Sequence, residues 1–444
     1  MQRVPPPPTL RRRLENGLTV LLLPRPLSPV ASVWVWHRVG SKNEPKGSTG
    51  AAHWLEHMLF KGSPHYPAGA IDRALVGVGG ILNAFTDNDF TAYFSTVPRE
   101  HLDIPLSIER DRLVGATLPE REIDRERSVV LSEREGNENH PGFRSEEELY
   151  ALAFRRHPYR WDALGYAEDI RAMDREHLSS FYRRFYGPEN ACLVVSGGFD
   201  PRETFPHVRR LFGRIHHPVE DPLVKDREPA QTGRRISTLR GPGSTPLLRL
   251  GWRSAAASEP EAASLLLLDL LLGGDNSFFP TGGSRFEERE HPTARLYQAL
   301  VDEGLATRAT SQYAPRVHPG LFTVYAQCAP GVELPRLEER LLQEIERTSR
   351  DPVPPEELRH LKERLVRGSV LAREGATGSA FRVGFFWALG DLGLEDRLFR
   401  RALRVTPTEL QQSAQRLFTD RSLNTVHYEV EPPRAGPGTG GKRE

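Results

Sequence analysis

Between positions 48 and 62 the chain reads STGAAHWLEHMLFKG, and three side chains in this otherwise apolar stretch can do chemistry: His53, Glu56 and His57. Ser48 or Thr49 is placed to cap a helix here, and the alanines, leucines and methionine that follow favour its continuation. On such a helix His53 and His57, four apart, project from one face about a turn from each other. That spacing suits two ligands of one metal ion. Glu56 stands one residue before the second histidine, where a carboxylate can take a proton from water attacking a carbonyl. The order H-x-x-E-H inverts the commoner zinc signature H-E-x-x-H. The plain alternative is an amphipathic helix with two histidines on its polar edge, and the pentapeptide by itself does not exclude it.

A further supply of ligands lies at 119–139, PEREIDRERSVVLSEREGNEN, a helical stretch dense in carboxylates. Most of these read as a solvated face laced with i, i+4 ion pairs. Glu126 and Glu133 differ in being seven apart, two turns, on the same side. Either can supply an oxygen to complete a three-ligand catalytic zinc site with one position left open.

The elements that must hold these residues are legible in outline. Residues 18–23 and 31–39 read as neighbouring strands, followed by the motif helix and a short helix over 68–78. Gly79-Gly80 opens a hairpin of 81–86, the turn Asp87-Asn88-Asp89, and 91–97. A helix over 100–114 precedes the carboxylate-rich one.

A length of 444 residues allows two domains, each with its own core. Hydrophobic residues at 38% describe a globular protein, and 60 basic against 59 acidic side chains offer no surface built for nucleic acid. The two cysteines, Cys192 and Cys328, sit in apparent strands, so no disulfide framework is expected. The apolar run 18–23 is too short for the core of a signal peptide, and Glu15-Asn16-Gly17 before it reads as a turn. No stretch approaches a membrane span. The expectation is a cytoplasmic protein without membrane contact.

With the paired glutamates in view, the chain resembles the inverzincin metallopeptidases of the pitrilysin and insulinase family, especially the subfamily of mitochondrial processing peptidase and its bacterial relatives. In that family a glutamate some 75 residues beyond H-x-x-E-H is the third ligand, and a second glutamate lies seven before it. Here 75 residues separate His57 from Glu133, with Glu126 seven earlier. LENGLTVLLLP, NAFTDNDFTAYF, HPYRWDALGYAEDI and FYRRFYGPENACLVVSGGFD also stand where the family has similar stretches. The resemblance implies one Zn2+ per chain on His53, His57 and Glu133, with Glu56 as general base. Glu126 joins the catalytic group by orienting a ligand or tuning the site's charge; should Glu133 not be the ligand, Glu126 or Glu135 takes its place. The resemblance further implies that the substrate peptide adds as a strand beside 81–86, touching Asn83, Ala84, Phe85 and Thr86. The implied fold is α+β: two homologous domains, each a mostly antiparallel sheet with helices packed on one face.

The second half supports a duplication. Residues 245–274 can be laid on 30–62 with Glu259-Pro260 over Glu44-Pro45, and the three motif positions then fall on Leu268, Leu271 and Leu272. We divide the chain into a catalytic domain 1–213, a linker 214–234 in which His216 and His217 are read as solvated, a metal-free domain 235–431 and a disordered tail 432–444. Relatives of this size close against a second two-domain chain, some of which supply an arginine and a tyrosine that hold substrate. After ARLYQAL (294–300) this chain has no such arginine and Thr307 near the tyrosine position, and its loop 275–293 is long for a connector. A heterodimer is favoured, with a homodimer using Arg308 or Tyr313 as the alternative. The expected function is zinc endopeptidase. A non-catalytic or peptide-binding subunit with a structural zinc is the rival, and an intact Glu56 argues against it, because a structural site has no use for a base.

Overall fold

The computed structural model describes residues 9–274 and 291–431. Six strands, β1 (Leu10–Arg13), β2 (Thr19–Pro24), β3 (Val30–His37), β4 (Ile81–Thr86), β5 (Thr91–Pro98) and β6 (Ala191–Gly197), form a first sheet in the order β1-β2-β6-β3-β5-β4. Only β2 and β6 run parallel. Helices of this half are α1 (Ala51–Met58), α2 (Ala70–Val76), α3 (Asp103–Val114), α4 (Glu120–Glu138), α5 (Pro141–Ala153), α6 (Ala167–Ala172), α7 (Arg175–Phe185) and α8 (Pro201–Phe212).

The near-continuous apolar sequence of β3 follows from burial on both faces. Val33 and Val35 point to a core completed by Leu106 and Leu113 of α3 and Val208 and Phe212 of α8. Trp34 and Trp36 point the other way, into a second core.

That second core is closed by the other half of the chain. Strands β7 (Arg235–Gly241), β8 (Leu247–Arg253), β9 (Ala306–Tyr313), β10 (Leu321–Cys328) and β11 (Asn424–Val430) form a sheet ordered β7-β11-β8-β10-β9, again with one parallel pair, β7 with β11. Its helices include α9 (Ala262–Leu272), α10 (Leu334–Arg350), α11 (Pro355–Leu371), α12 (Gly375–Ala388), α13 (Leu394–Arg404) and α14 (Pro407–Leu417). Of these, α12 lies on β3 and β6 of the first sheet. The Phe381 ring meets those of Trp34 and Trp36 edge-on at 5.8 and 5.4 Å between centroids. Arg38 donates to the Trp387 carbonyl at 2.7 Å and its guanidinium lies 4.0 Å from that indole. Conversely α5 lies on β7, β8 and β11, with Leu149 and Ala153 packed on Leu321 and Val426. Each sheet therefore carries its own half's helices on one face, as expected, and a helix from the other half on the second face.

The two sheets repeat one connection pattern, β2-β6-β3-β5-β4 against β7-β11-β8-β10-β9. Helix α9 stands where α1 stands, and Leu268, Leu271 and Leu272 are core residues. Residues 214–232 hold no helix or strand but are tied down: Glu228 accepts the N–H groups of Arg155, Arg156 and His157, and Asn43 donates to the Pro222 carbonyl. In this segment His216 is exposed, while His217 Nε2 lies 3.0 Å from the Arg183 carbonyl. Cys192 and Cys328 are buried free thiols in β6 and β10. The tail 432–444, and the loop 275–293 up to position 290, lie outside the described residues. No helix among the described residues is long and apolar enough to cross a membrane.

Candidate metal centre

Helix α1 forms where the sequence indicates, but its cap is not the expected one. Neither Ser48 nor Thr49 caps it. Gly50 takes the N-cap position with φ 89°, a left-handed conformation that glycine adopts without a Cβ penalty. The first N–H groups go to Glu44, whose Oε2 accepts from Gly50 at 2.9 Å and Oε1 from Ala52 at 2.8 Å. Burial pushes the Glu44 carboxyl well above the usual range against the pull of these bonds. Thr49 is occupied elsewhere, giving its N–H and hydroxyl to Asp169 at 3.0 and 2.6 Å. Glu44 was missed by sequence reasoning; its match with Glu259 in the second half was the one signal for it.

The apolar face of α1, with Trp54, Leu55 and Met58, packs on Leu178, Phe181 and Phe185 of α7. The remaining face turns His53, Glu56 and His57 towards α4 and β4, both of which contact α1. Arg127 fastens α4 in place, with its guanidinium 4.8 Å from the Trp54 ring and hydrogen bonds to the Ile170 and Met173 carbonyls.

His53, His57 and Glu133 come together: one donor atom from each lies within 4.8 Å of the others. Glu133 Oε2 is 3.5 Å from Nε2 of both His53 and His57. Donors about 2 Å from a tetrahedral zinc stand roughly 3.3 Å apart, so the spacing and the two-imidazole, one-carboxylate chemistry fit that ion. Among the described residues no other group of three histidine, cysteine or acidic donors comes so close. Glu135 is exposed and outside the group.

Glu126 takes a different place on α4. Its Oε2 lies 3.1 Å from His57 Nδ1 and its Oε1 2.7 Å from Lys61 Nζ, with the side chain only 7% exposed. A carboxylate in that place suits the neutral His57 tautomer with its proton on Nδ1, which would leave the Nε2 lone pair on the side of Glu133. Lys61 went unread in the sequence because no spacing connects it to Glu126.

Glu56 is reached from the sheet. Thr86, the last residue of β4, donates from Oγ1 to Glu56 Oε2 at 2.6 Å. Strand β4 ends its sheet, pairing with β5 alone among the described strands. Of the other residues assigned to substrate, Asn83 accepts the Ala84 N–H on its own side chain at 2.8 Å, Ala84 packs against the core around α1, and Phe85 is turned into the aromatic cluster, 5.7 Å from Trp36. The suggested stand-in Tyr313 is buried and donates its hydroxyl to the Ala255 carbonyl, which removes it from any open surface.

Comparisons with known proteins agree with this architecture. The family described as Insulinase (Peptidase family M16) matches residues 19–165, and the one described as Peptidase M16 inactive domain matches residues 172–365. The zinc protease PqqE of Helicobacter pylori is 27% identical over 420 residues, 93% of this chain and 91% of that protein. The beta subunit of the mitochondrial-processing peptidase of Blastocladiella emersonii is 27% identical over 421 residues, 95% of this chain and 88% of that one. Among solved structures, a protease from Helicobacter pylori superposes with a TM-score of 0.87 at 25% identity, covering 96% of this chain and 100% of that chain. An M16-like peptidase from Alicyclobacillus acidocaldarius shares the fold, with a TM-score of 0.80 at 21% identity over 97% and 100% of the two chains. With both family patterns in tandem along its length, this chain belongs to the M16, or insulinase, family of peptidases.

Proposed function

We propose that the protein is a zinc-dependent endopeptidase that cuts peptides or unfolded polypeptide segments. The observation that carries this reading is the convergence of His53, His57 and Glu133 beside a carboxylate, Glu56, anchored by the end of an open-edged strand. The two histidines and Glu133 would hold one Zn2+ per chain. Bound there, zinc supplies Lewis acidity, polarising a peptide carbonyl and easing deprotonation of water at neutral pH. Glu56 takes the proton as water attacks and returns it to the departing amine. Glu126 keeps the His57 ring turned with Nε2 inward. The free edge of β4 receives the substrate as an added strand, so backbone pairing provides most of the recognition and Phe85, committed to the core, provides little. Leu268, Leu271 and Leu272 offer no donor atoms, which makes the second half a wall of the substrate chamber.

For assembly, the reading is a closed pair of two-domain chains, a heterodimer before a homodimer. A relative named as a subunit supports pairing, and the burial of Tyr313 supports a partner that brings its own substrate-holding residues. Size measurement with an assay of the chain alone checks this; a fully active homodimer contradicts the heterodimer. The cytoplasmic location rests on the sequence reading alone and is checked by fractionation. The function itself is tested by peptide hydrolysis with and without a chelator, in the wild type and in Glu56→Gln.

A further inference from the structure

Lys61 lies just past the end of α1, in a turn where its N–H donates to the Met58 carbonyl at 3.0 Å. Its side chain is 33% exposed, and Nζ reaches 2.7 Å from Glu126 Oε1. The other oxygen of that carboxylate is 3.1 Å from His57 Nδ1. Lysine and histidine thus hold the two oxygens of one glutamate, and its plane is fixed from both sides. An exposed ion pair contributes little. This one is different on the carboxylate side, since Glu126 is 7% exposed and a charge so buried is costly unless paired.

We infer that Lys61 is a positioning residue of the metal centre, acting through Glu126 on the orientation of His57. The inference rests on the reading of His57 as a zinc ligand. Two consequences of the geometry lead to it. With Lys61 in place, Glu126 presents Oε2 to Nδ1, which fixes the ring rotation and leaves Nε2 towards Glu133. Lys61 also belongs to the turn after α1 while Glu126 belongs to α4, two turns before Glu133. The ion pair therefore ties α4 to the end of α1, alongside the contact of Arg127 with Trp54, and the approach of Glu133 to both histidines depends on how α4 lies there.

The test compares the wild type with Lys61→Met, Lys61→Arg, Glu126→Gln and the double variant Lys61→Met/Glu126→Gln. Zinc affinity is read by chelator competition, and the ligand field by the visible spectrum of the cobalt-substituted protein. Lys61→Met should weaken zinc binding on the order of tenfold and alter the cobalt bands, as loss of a group supporting a ligand does. Lys61→Arg should restore both. In the Glu126→Gln background the same Lys61→Met change should add less than about twofold, because the lysine acts through that carboxylate. Lys61→Gln is measured in parallel, so that a folding defect of Lys61→Met does not decide the result. Wild-type affinity and spectrum in both Lys61→Met and Lys61→Gln overturn the inference, as does an undiminished loss in the Glu126→Gln background. A wild-type chain that binds no zinc overturns the functional reading, and the role of Lys61 with it.

Discussion

Thr86 and Glu56 are joined by a 2.6 Å hydrogen bond that runs from the last residue of the edge strand to the carboxylate of the motif helix. The strand offered to substrate and the group offered as base are therefore mechanically connected. A hydroxyl given to a carboxylate is a short, charge-assisted bond that favours one rotamer of the glutamate.

Thr86→Val keeps the β-branched shape and removes only the donor. Hydrogen bonds to charged groups contribute about 1.5–3 kcal/mol. The variant should lose roughly 10- to 100-fold in kcat/KM towards a peptide, with unchanged zinc content, while Thr86→Ser retains most of the rate. Steady-state kinetics beside metal analysis check this; equal kinetics in Thr86→Val would separate the strand from the base.

The exchange of α5 and α12 buries a face of each half's sheet under a helix of the other half. Gly384 of α12 faces Trp36, and a Cβ at that position would collide with the indole nitrogen inside a fully buried site. Gly384→Ala should destabilise the whole chain by about 1–3 kcal/mol through overpacking. Denaturant unfolding should shift as a single transition whether the reporter is in the first half or the second. An unchanged midpoint would show that α12 is not held against the first sheet. By the same packing, residues 1–213 alone would expose Trp34, Trp36 and Val194, which α12 and its neighbours cover.

No local sequence pattern encodes this exchange. The strands flanking the site were visible because a sheet buried on both faces gives runs such as VASVWVWH, and the hairpin 81–86 and 91–97 announced itself by its turn residues. The run from Ala380 to Ala388 shows equally well that α12 is buried, but periodicity identifies the face and not the sheet it covers. At the site, two histidines four apart fixed their own relation, because both lie on one helix. Glu126 and Glu133 stayed interchangeable on spacing alone, since both lie on one side of α4, and only the resemblance preferred Glu133 as ligand. The contact of Glu126 with Nδ1 and of Glu133 with Nε2 comes from how α4 crosses α1, which no local pattern encodes. Glu44 illustrates the same limit: a helix cap supplied from six residues upstream of Gly50 escapes rules that look at the residue next to the first turn.

Stability should respond to pH through the junction between the halves. His157 stands before the short turn Pro158–Arg160, its ring 4.9 Å from that of His318 in the second half. Burial, with the neighbouring His318 and Lys42 adding to it and Asp89 and Glu228 opposing, pushes His157 down to about 4 from the ordinary 6.5. Between those values the unfolded chain binds a proton that the native protein refuses. Stability should therefore fall as pH drops from about 6.5 towards 4, and level off below that for this group. In His157→Asn, which keeps an acceptor for the Tyr159 N–H, proton uptake on unfolding near pH 5 should be smaller by up to about one. Denaturant melts of both proteins at pH 7, 6 and 5 check this; identical pH slopes would remove His157 from the account.

The central claim is that His53, His57 and Glu133 would hold a zinc ion, beside which Glu56 takes a proton from the attacking water and returns it to the departing amine. Its most direct test measures zinc content and peptide hydrolysis together in the wild type, Glu56→Gln and Glu133→Gln, each assayed with its partner chain where one is required. The account predicts one zinc per chain and chelator-sensitive cleavage in the wild type. It predicts full zinc with a rate lower by about 10²–10⁴-fold in Glu56→Gln, the range for loss of a general base. Glu133→Gln should lose zinc and rate in step. Near-normal cleavage by Glu56→Gln, hydrolysis indifferent to chelation, or full zinc with normal turnover in Glu133→Gln would contradict it.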